Sequence, residues 1–148
     1  MLLGVDALDP AGVAAARALC ATGRAGELLE RAIAGTDESR ARVAVDGGMV
    51  TGLAMHGRVA GALGTGALLW VAVDPAVSRR GIGRALVADA LGELARSGAR
   101  LVVAELAGTA DHAPMIGLLV DAGFEREGEI ADFYRDRVSL MLWRRPLR

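Results

Sequence analysis

The apolar positions at the start of the chain follow helical spacing. Asp9 and Pro10 offer an N-cap and a first-turn proline, and the residues after them predict a helix to about Thr22-Gly23. A second helix, ending near Gly35, is predicted from the next apolar positions, which are Leu28, Leu29, Ala32 and Ile33. We therefore expect two helices to precede the first strand and to cover one side of an opening in a sheet.

Strand patterns begin at residue 43. Residues 43–55 predict a hairpin with its turn at 46–48, where the sequence reads Asp-Gly-Gly. Four glycines punctuate residues 57–66, so the register of that stretch is weakly determined. Residues 68–73 form an apolar run of strand length and predict a buried central strand.

The second half of the chain alternates between helical and strand patterns. Because a strand that returns through a helix requires a right-handed parallel crossover, strands 68–73 and 100–106 are predicted to be parallel neighbours with antiparallel strands beside them. The fold class is therefore α/β, in one domain over residues 1–148. The predicted elements are a helix at 81–97, a strand at 100–106, a helix capped by Asp111 to about 122, and a strand at 138–143.

Composition excludes several classes of protein. The formal net charge is −1 and all 17 basic residues are arginine, so we expect neither a nucleic-acid nor a membrane partner. One cysteine and two histidines argue against a disulfide framework and against a metal centre. The first residues lack a secretory pattern and no apolar run approaches the roughly 18 residues of a membrane span, so a cytoplasmic protein is expected.

A basic, glycine-containing turn joins the central strand to the next helix. It reads SRRGIGR from Ser78 to Arg84, and its glycines fall where the first N–H groups of a helix are unpaired and attract anions. The pattern GxxxxGK[ST] of a P-loop is absent, and Leu86 replaces the third glycine of a dinucleotide fingerprint. Two interpretations of this turn remain. It is either an ordinary turn with solvated arginines or a site that binds phosphate.

The segment SRRGIG resembles the acyl-CoA-binding motif [QR]xxGx[GA] of the GNAT family of N-acetyltransferases, with Ser78 at the first position. Further features that are similar to this family are Ala113-Pro114 at a helix start, the pair Gly123-Phe124 and the triplet Asp132-Phe133-Tyr134 before the last strand. The similar region covers about residues 43–147. The resemblance implies a mixed, mostly antiparallel sheet with a central splayed pair of parallel strands and helices on both faces.

The resemblance also implies acetyl-CoA as the acyl donor, with no metal. By analogy the pantetheine arm hydrogen-bonds to the backbone of Val71 and Val73, and the diphosphate lies on amides of the glycine turn. The residues expected to bind the cofactor are Val71, Ala72, Val73, Arg79, Arg80, Gly81, Ile82, Gly83 and Arg84.

Two residues are candidates for proton transfer. A primary amine with a pKa near ~10 is mostly protonated at neutral pH, so a base helps it to attack the thioester. Glu105 is the candidate base, because a carboxylate within a strand is costly to bury without a purpose; it could instead be salt-bridged to an arginine. Tyr134 is the candidate acid, because Leu119 occupies the position four residues before Gly123 where many family members have tyrosine.

The resemblance implies that the acceptor is a primary amine of a small molecule or a peptide amino group. Carboxylates at Asp111, Asp132 and Asp136 suggest a cationic acceptor. Trp70 could face either the core or the substrate cavity, and the core is favoured. A homodimer is compatible with the sequence. Leu119 and Ser78 keep a second hypothesis open, in which a domain of the GNAT fold binds acyl-CoA as a sensor or interaction module without efficient catalysis. A doubly wound nucleotide-binding fold conflicts with the strand meander before the glycine turn.

Overall fold

The computed structural model describes residues 1–20, 23–35, 37–78 and 80–147. Within them, seven strands form one mixed sheet in the order β1-β2-β3-β4-β5-β7-β6, and helices cover both faces. The strands are β1 (Leu2–Gly4), β2 (Arg40–Asp46), β3 (Met49–Arg58), β4 (Thr65–Val73), β5 (Leu101–Ala107), β6 (Glu125–Arg135) and β7 (Val138–Pro146). The helices are α1 (Pro10–Leu19), α2 (Gly23–Ala34), α3 (Ile82–Arg96) and α4 (Ala113–Asp121).

The predicted order of elements is confirmed, and the differences lie at the ends of elements. Helix α1 ends at Leu19, before the predicted end at residues 22–23, of which Thr22 lies outside the described residues. Strand β4 begins at Thr65, three residues before the predicted start. Strand β1 was not predicted, because three residues are too few to show a period of two. Asp111 does not cap α4, whose N-cap is His112 without a side-chain hydrogen bond.

Two apolar clusters hold the helices on opposite faces of the sheet. Alternation along β3 separates them, because Leu53 and Met55 pack under α1 and α2 whereas Ala54 packs under α3 and α4. Helix α3 contributes a buried stripe to the second cluster, made of Leu86, Val87, Ala90 and Leu94. None of the helices in the described part of the chain is long and apolar enough to cross a membrane.

The central strands β4 and β5 are parallel, as predicted, but they pair only over their first four residues. The last paired residues are Leu68 and Ala104. The β3–β4 register shifts at the same place, since Met55 lies opposite Trp70 and the next residue of β3 lies opposite Leu68. Leu69 is therefore an extra residue in β4, and a bulge of this kind bends a strand and increases its twist. Beyond the bulge the two parallel strands separate.

The triplet Asp132-Phe133-Tyr134, which precedes the last strand in the sequence, lies inside strand β6. The pairing of β6 with β7 is interrupted between Ile130 and Arg135, and Asp132 adopts a left-handed conformation with φ of 56°. Asp132 Oδ1 accepts a hydrogen bond from the backbone N–H of Arg137 at 2.7 Å. A local irregularity of an edge strand therefore presents these residues, which the alternating pattern alone did not predict.

Close packing of α3 on the sheet depends on a residue without a side chain. A Cβ atom at Gly52 would lie 2.9 Å from the carbonyl oxygen of Ala72 and 2.9 Å from Leu86 Cδ1. The carbonyl belongs to a paired strand and cannot move aside, so the contact fixes how near α3 approaches β3.

We expect Gly52→Ala to destabilise the protein by about 1–3 kcal/mol, because the added methyl group overpacks this contact. Gly117→Ala is the matched control, since Gly117 is an exposed residue of α4 and a Cβ there meets nothing within 4 Å. The control should gain about 0.5–1 kcal/mol through its helix propensity. Urea denaturation of both variants measures the two changes, and an unchanged stability of Gly52→Ala would contradict the packing argument.

A buried histidine lies on the α3 face of the sheet. His56 is 6% exposed, and its Nε2 atom has no hydrogen-bond partner. Burial lowers the pKa of His56, and the charges near it oppose one another, since Glu93 and Asp89 raise the pKa while Arg42 and Arg40 lower it. In the same region the guanidinium of Arg42 donates to Asp89 at 2.6 Å and joins β2 to α3. The imidazole is therefore held in its neutral form.

A lowered pKa of His56 makes folding stability depend on pH in a defined direction. The unfolded chain takes up a proton near pH ~6.5 and the folded chain only at lower pH, so stability is complete above this value and falls below it by up to ~1.4 kcal/mol per pH unit. We expect His56→Gln to flatten the decline between about pH 7 and 5.5. Melting temperatures across this range test it, with His112→Gln as the control. Equal declines in wild type and His56→Gln would contradict it.

Candidate functional site

The separation of β4 and β5 opens a cleft of about 760 Å³ in the sheet. Its walls include the diverging parts of both strands, with Leu69 to Val71 and Val73 on one side and Val103 to Ala107 on the other. Residues from α2, α4 and β6 complete it. The cleft thus follows directly from the short pairing of the parallel strands.

The backbone of β4 beyond the bulge has one side without a strand partner. The N–H of Asp74 donates to the carbonyl oxygen of Thr51 at 2.8 Å, which fixes the direction of the alternating backbone groups. Ala72 therefore faces β3, whereas the N–H and C=O groups of Val71 and Val73 face the cleft. Of the three strand residues expected at the cofactor, these two present their backbone to the opening.

The glycine turn leads directly into the start of α3. Gly81 is the N-cap, adopts a left-handed conformation with φ of 77°, and supplies no side-chain cap for the first N–H groups of the helix. A Cβ at Gly83 would lie 2.9 Å from Leu118 Cδ1, so this glycine lets α4 approach α3. The first turn, which includes Ile82, therefore offers free donors at the positive end of the helix.

The arginines of the turn differ in their surroundings. Arg84 is exposed and donates to Asp121 of α4 at 2.9 Å. Arg80 is exposed beside a smaller cavity of about 430 Å³, which Gly81 and Ile82 also line. Arg79, predicted to bind the cofactor, lies outside the described residues.

The cleft passes from one face of the sheet to the other. Val71 and Val73 pack with the cluster under α3 and α4, whereas Leu69 and Ala72 pack with the cluster under α1 and α2. The α3 end of the cleft comprises Val71, Val73, Ser78, Met115 and Leu118. The α2 end comprises Arg24, Trp70, Glu105 and Tyr134.

Glu105 lies at the α2 end and is exposed, which corrects the expectation of a buried carboxylate. Its strand neighbours Ala104 and Leu106 pack with the cluster under α3 and α4, so the Glu105 side chain points to the opposite face. It forms no ion pair with a described residue, so the alternative of a salt-bridged glutamate is not what the structure shows. The parting of β4 from β5 is what gives this side chain access to solvent.

Tyr134 shares the α2 end with Glu105, so the structure brings the two catalytic candidates to one cleft. The phenol is 42% exposed, and its ring packs edge-on against Phe133 with the ring centroids 5.0 Å apart. Partial burial and the charge of Glu105 raise the pKa of Tyr134, while Arg24 lowers it. Leu119 is fully buried in the core and does not line the cleft.

Several residues of the cleft were not predicted as site residues, among them Trp70, His112 and Arg24. Trp70, for which the core was favoured, is 37% exposed and lines the cleft. His112 also lines it, and its Nδ1 atom lies 2.8 Å from the hydroxyl of Thr109. The sequence did contain a signal for His112, because this residue follows the carboxyl end of a parallel strand and functional residues gather there in α/β sheets. Arg24 gave no such signal, because only packing determines where α2 lies.

The acidic residues that suggested a cationic acceptor are not gathered together. Of Asp111, Asp132 and Asp136, only Asp111 lines the cleft. No three His, Cys, Asp or Glu side chains form a metal-binding group in the part of the chain that the structure describes. Glu105, Tyr134 and Arg24 supply a carboxylate, a phenol and a guanidinium at the α2 end of the cleft.

Comparisons with known proteins agree with this geometry. A family model described as acetyltransferase (GNAT) family matches residues 14–124. No curated protein matches the sequence significantly.

Solved structures resemble the whole chain. A Desulfovibrio desulfuricans protein described as an acetyltransferase of the GNAT family has a TM-score of 0.87 and 26% identity over 100% of both chains. The protein yncA from Salmonella typhimurium, solved with its cofactor acetyl-CoA, has a TM-score of 0.77 and 22% identity over 100% of this chain and 94% of its own. The ribosomal-protein-S18-alanine N-acetyltransferase of Escherichia coli has a TM-score of 0.78 and 20% identity over 99% and 94%.

The family match covers more than half of the chain, and the splayed parallel strands carry the same architecture as these neighbours. The chain therefore belongs to the acetyltransferase (GNAT) family.

Proposed function

We propose that the protein is an acetyl-CoA-dependent N-acetyltransferase that transfers an acetyl group to a primary amine by direct attack. One observation carries the proposal: β4 and β5 separate beside the uncapped start of α3, and Val71 and Val73 turn their backbone groups into the opening. Backbone N–H and C=O groups inside a fold need partners, and an extended amide-containing ligand provides them.

The residues at the α3 end of the cleft fit acetyl-CoA, the proposed acyl donor. Backbone groups of Val71 and Val73 would bind the amide-rich pantetheine arm, and the N–H groups at the start of α3, from Ile82 to Arg84, would bind the diphosphate. Arg80 adds positive charge near this turn. Acetyl-CoA supplies an activated acetyl thioester when it is bound.

Glu105 is proposed as the base for the acceptor amine. An exposed, unpaired carboxylate at the α2 end attracts an ammonium group and takes its proton, directly or through a water molecule. The nitrogen then forms its bond to the acetyl carbon while the C–S bond breaks. Binding and deprotonation of the acceptor are thus proposed to take place on the face of the sheet opposite α3.

Tyr134 is proposed as the proton donor to the departing sulfur. Its raised pKa keeps the phenol protonated through the neutral range, so it holds a proton to donate. An ordinary thiol has a pKa near ~8.5, so the thiolate leaves readily and needs little help from an acid. The reaction can therefore proceed although position 119 holds leucine and not tyrosine.

The acceptor is proposed to be a small-molecule amine or a peptide amino group. The E. coli neighbour acetylates a ribosomal-protein alanine by its name, which makes peptide amino groups reasonable test substrates here. The α2 end is the part of the cleft that would receive either class.

We expect release of free thiol when the protein is incubated with acetyl-CoA and a panel of primary amines and amino-terminal peptides. Glu105→Gln should lower kcat/KM by about 10²–10⁴-fold, because a neutral amide cannot take the proton. The rate of the variant should also recover as pH rises toward the pKa of the amine. Thiol release followed across pH measures both effects.

Glu125→Gln is the control for Glu105→Gln, since Glu125 is exposed on β6 and does not line the cleft. Binding of acetyl-CoA without turnover on any amine would refute the proposed activity and favour an acyl-CoA-binding sensor. Equal rates for wild type and Glu105→Gln would remove Glu105 from the mechanism.

Ser78 occupies the motif position that normally holds arginine or glutamine, and it lines the α3 end of the cleft. We expect Ser78→Arg to bind acetyl-CoA about three- to fivefold more tightly, equivalent to roughly 0.7–1 kcal/mol for one exposed charge pair. Titration calorimetry measures the change, with Ala95→Arg as the control, because it adds the same charge at the far end of α3. An unchanged affinity in Ser78→Arg would contradict the expectation.

A further inference from the structure

The α2 end of the cleft carries two opposite charges without partners. Two arginines line the cleft, and one of them, Arg58, donates to the Ser97 carbonyl oxygen at 2.6 Å and lies 3.7 Å from Glu38. The other, Arg24, forms no ion pair with a described residue, and neither does Glu105. Arg24 and Glu105 are therefore opposite charges on the same face of the sheet that no ion pair in the described part of the chain neutralises.

The position of Arg24 in its helix costs stability. It is the second residue of α2, and the first turn of that helix contains no acidic residue. A cation there is opposed by the positive end of the helix dipole, which is unfavourable. Neither the helix nor an ion pair within the described fold offsets this cost, whereas an anionic ligand would.

Arg24 and Glu105 line the same cleft as Tyr134. Tyr134 senses both, because Glu105 raises its pKa and Arg24 lowers it. Glu105 points away from the α3 face, and Trp70 lies on the same face as Ala72, two residues further along β4. Arg24, Glu105 and Tyr134 thus surround one space with the Trp70 ring as an additional wall.

We propose that Arg24 binds a carboxylate of the acceptor, so that the preferred acceptors are amines that carry a carboxylate, such as amino acids. This inference rests on the proposed N-acetyltransferase activity and names its substrate class. Glu105 holds the ammonium end and Arg24 the carboxylate end, and guanidinium and carboxylate form paired, charge-assisted hydrogen bonds. A polycationic amine is disfavoured, because Arg24 repels a second positive charge.

The test compares each amino acid with its primary amide, which has nearly the same size and no negative charge. Thiol release from acetyl-CoA gives kcat/KM for each member of the pair. Each kcat/KM is divided by the fraction of amine that is unprotonated, so that the different amine pKa values of acid and amide do not affect the comparison. Wild type should favour the acids by about tenfold or more, since hydrogen bonds between charged groups contribute roughly 1.5–3 kcal/mol.

Arg24→Gln should lower kcat/KM for the acids by about 10–100-fold, chiefly through KM, and leave the amides nearly unchanged. Arg31→Gln is the matched control, because Arg31 is exposed on the same helix and does not line the cleft. Equal losses on acid and amide would assign Arg24 a structural role and overturn the inference.

The outcomes separate the inference from the activity on which it rests. Turnover of uncharged or cationic amines with no preference for the acids refutes the carboxylate site and leaves the N-acetyltransferase proposal intact. Binding of acetyl-CoA without turnover of any amine refutes both. Preference for the acids that disappears in Arg24→Gln alone supports both.

Discussion

Backbone hydrogen bonding at the point where β4 leaves β5 is the constraint on which the site depends. The parallel pair ends at Leu68 and Ala104, and the extra residue Leu69 turns β4 away while its other edge remains paired with β3. Buried backbone groups are almost always paired, so the turned edge needs either water or a ligand. A sheet that leaves one inner edge open thereby presents backbone donors and acceptors to the cleft, as the proposed binding of an extended, amide-containing ligand requires.

The same opening connects the two faces of the sheet, to which the proposed transfer reaction assigns its two substrates. Val71 and Val73 place their side chains under α3 and α4, while Glu105 points to the face covered by α1 and α2. A ligand anchored at the start of α3 and an acceptor held beside α2 would therefore meet within the sheet, with neither crossing the binding site of the other. The uncapped N-terminus of α3 and the exposed Glu105 carboxylate are complementary parts of this division.

Much of this architecture could be predicted from the sequence, since the order of elements, the parallel pair and the glycine turn all have local signals. The spacing of apolar residues predicted α3 and β5. Gly98 follows the end of α3 and adopts a left-handed conformation with φ of 93°, as is typical of a glycine that ends a helix. The surroundings of the site were less predictable, because they depend on irregularities. A bulge exposes Glu105, a distorted edge strand presents Tyr134, and the packing of α2 brings Arg24 to the cleft; none of these follows from periodicity.

The loss of a tyrosine at position 119 also has a physical explanation in this chain. Leu119 is completely enclosed by the core under α3 and α4, so a polar phenol there would need a buried partner. Tyr134 instead lies on the edge strand β6 and is partly exposed. Because a thiolate is a good leaving group, a modest acid suffices and its position is less constrained than that of the base. The demanding part of the proposed chemistry is the deprotonation of the amine, and Glu105, the proposed proton acceptor, lies on the central strand that borders the opening.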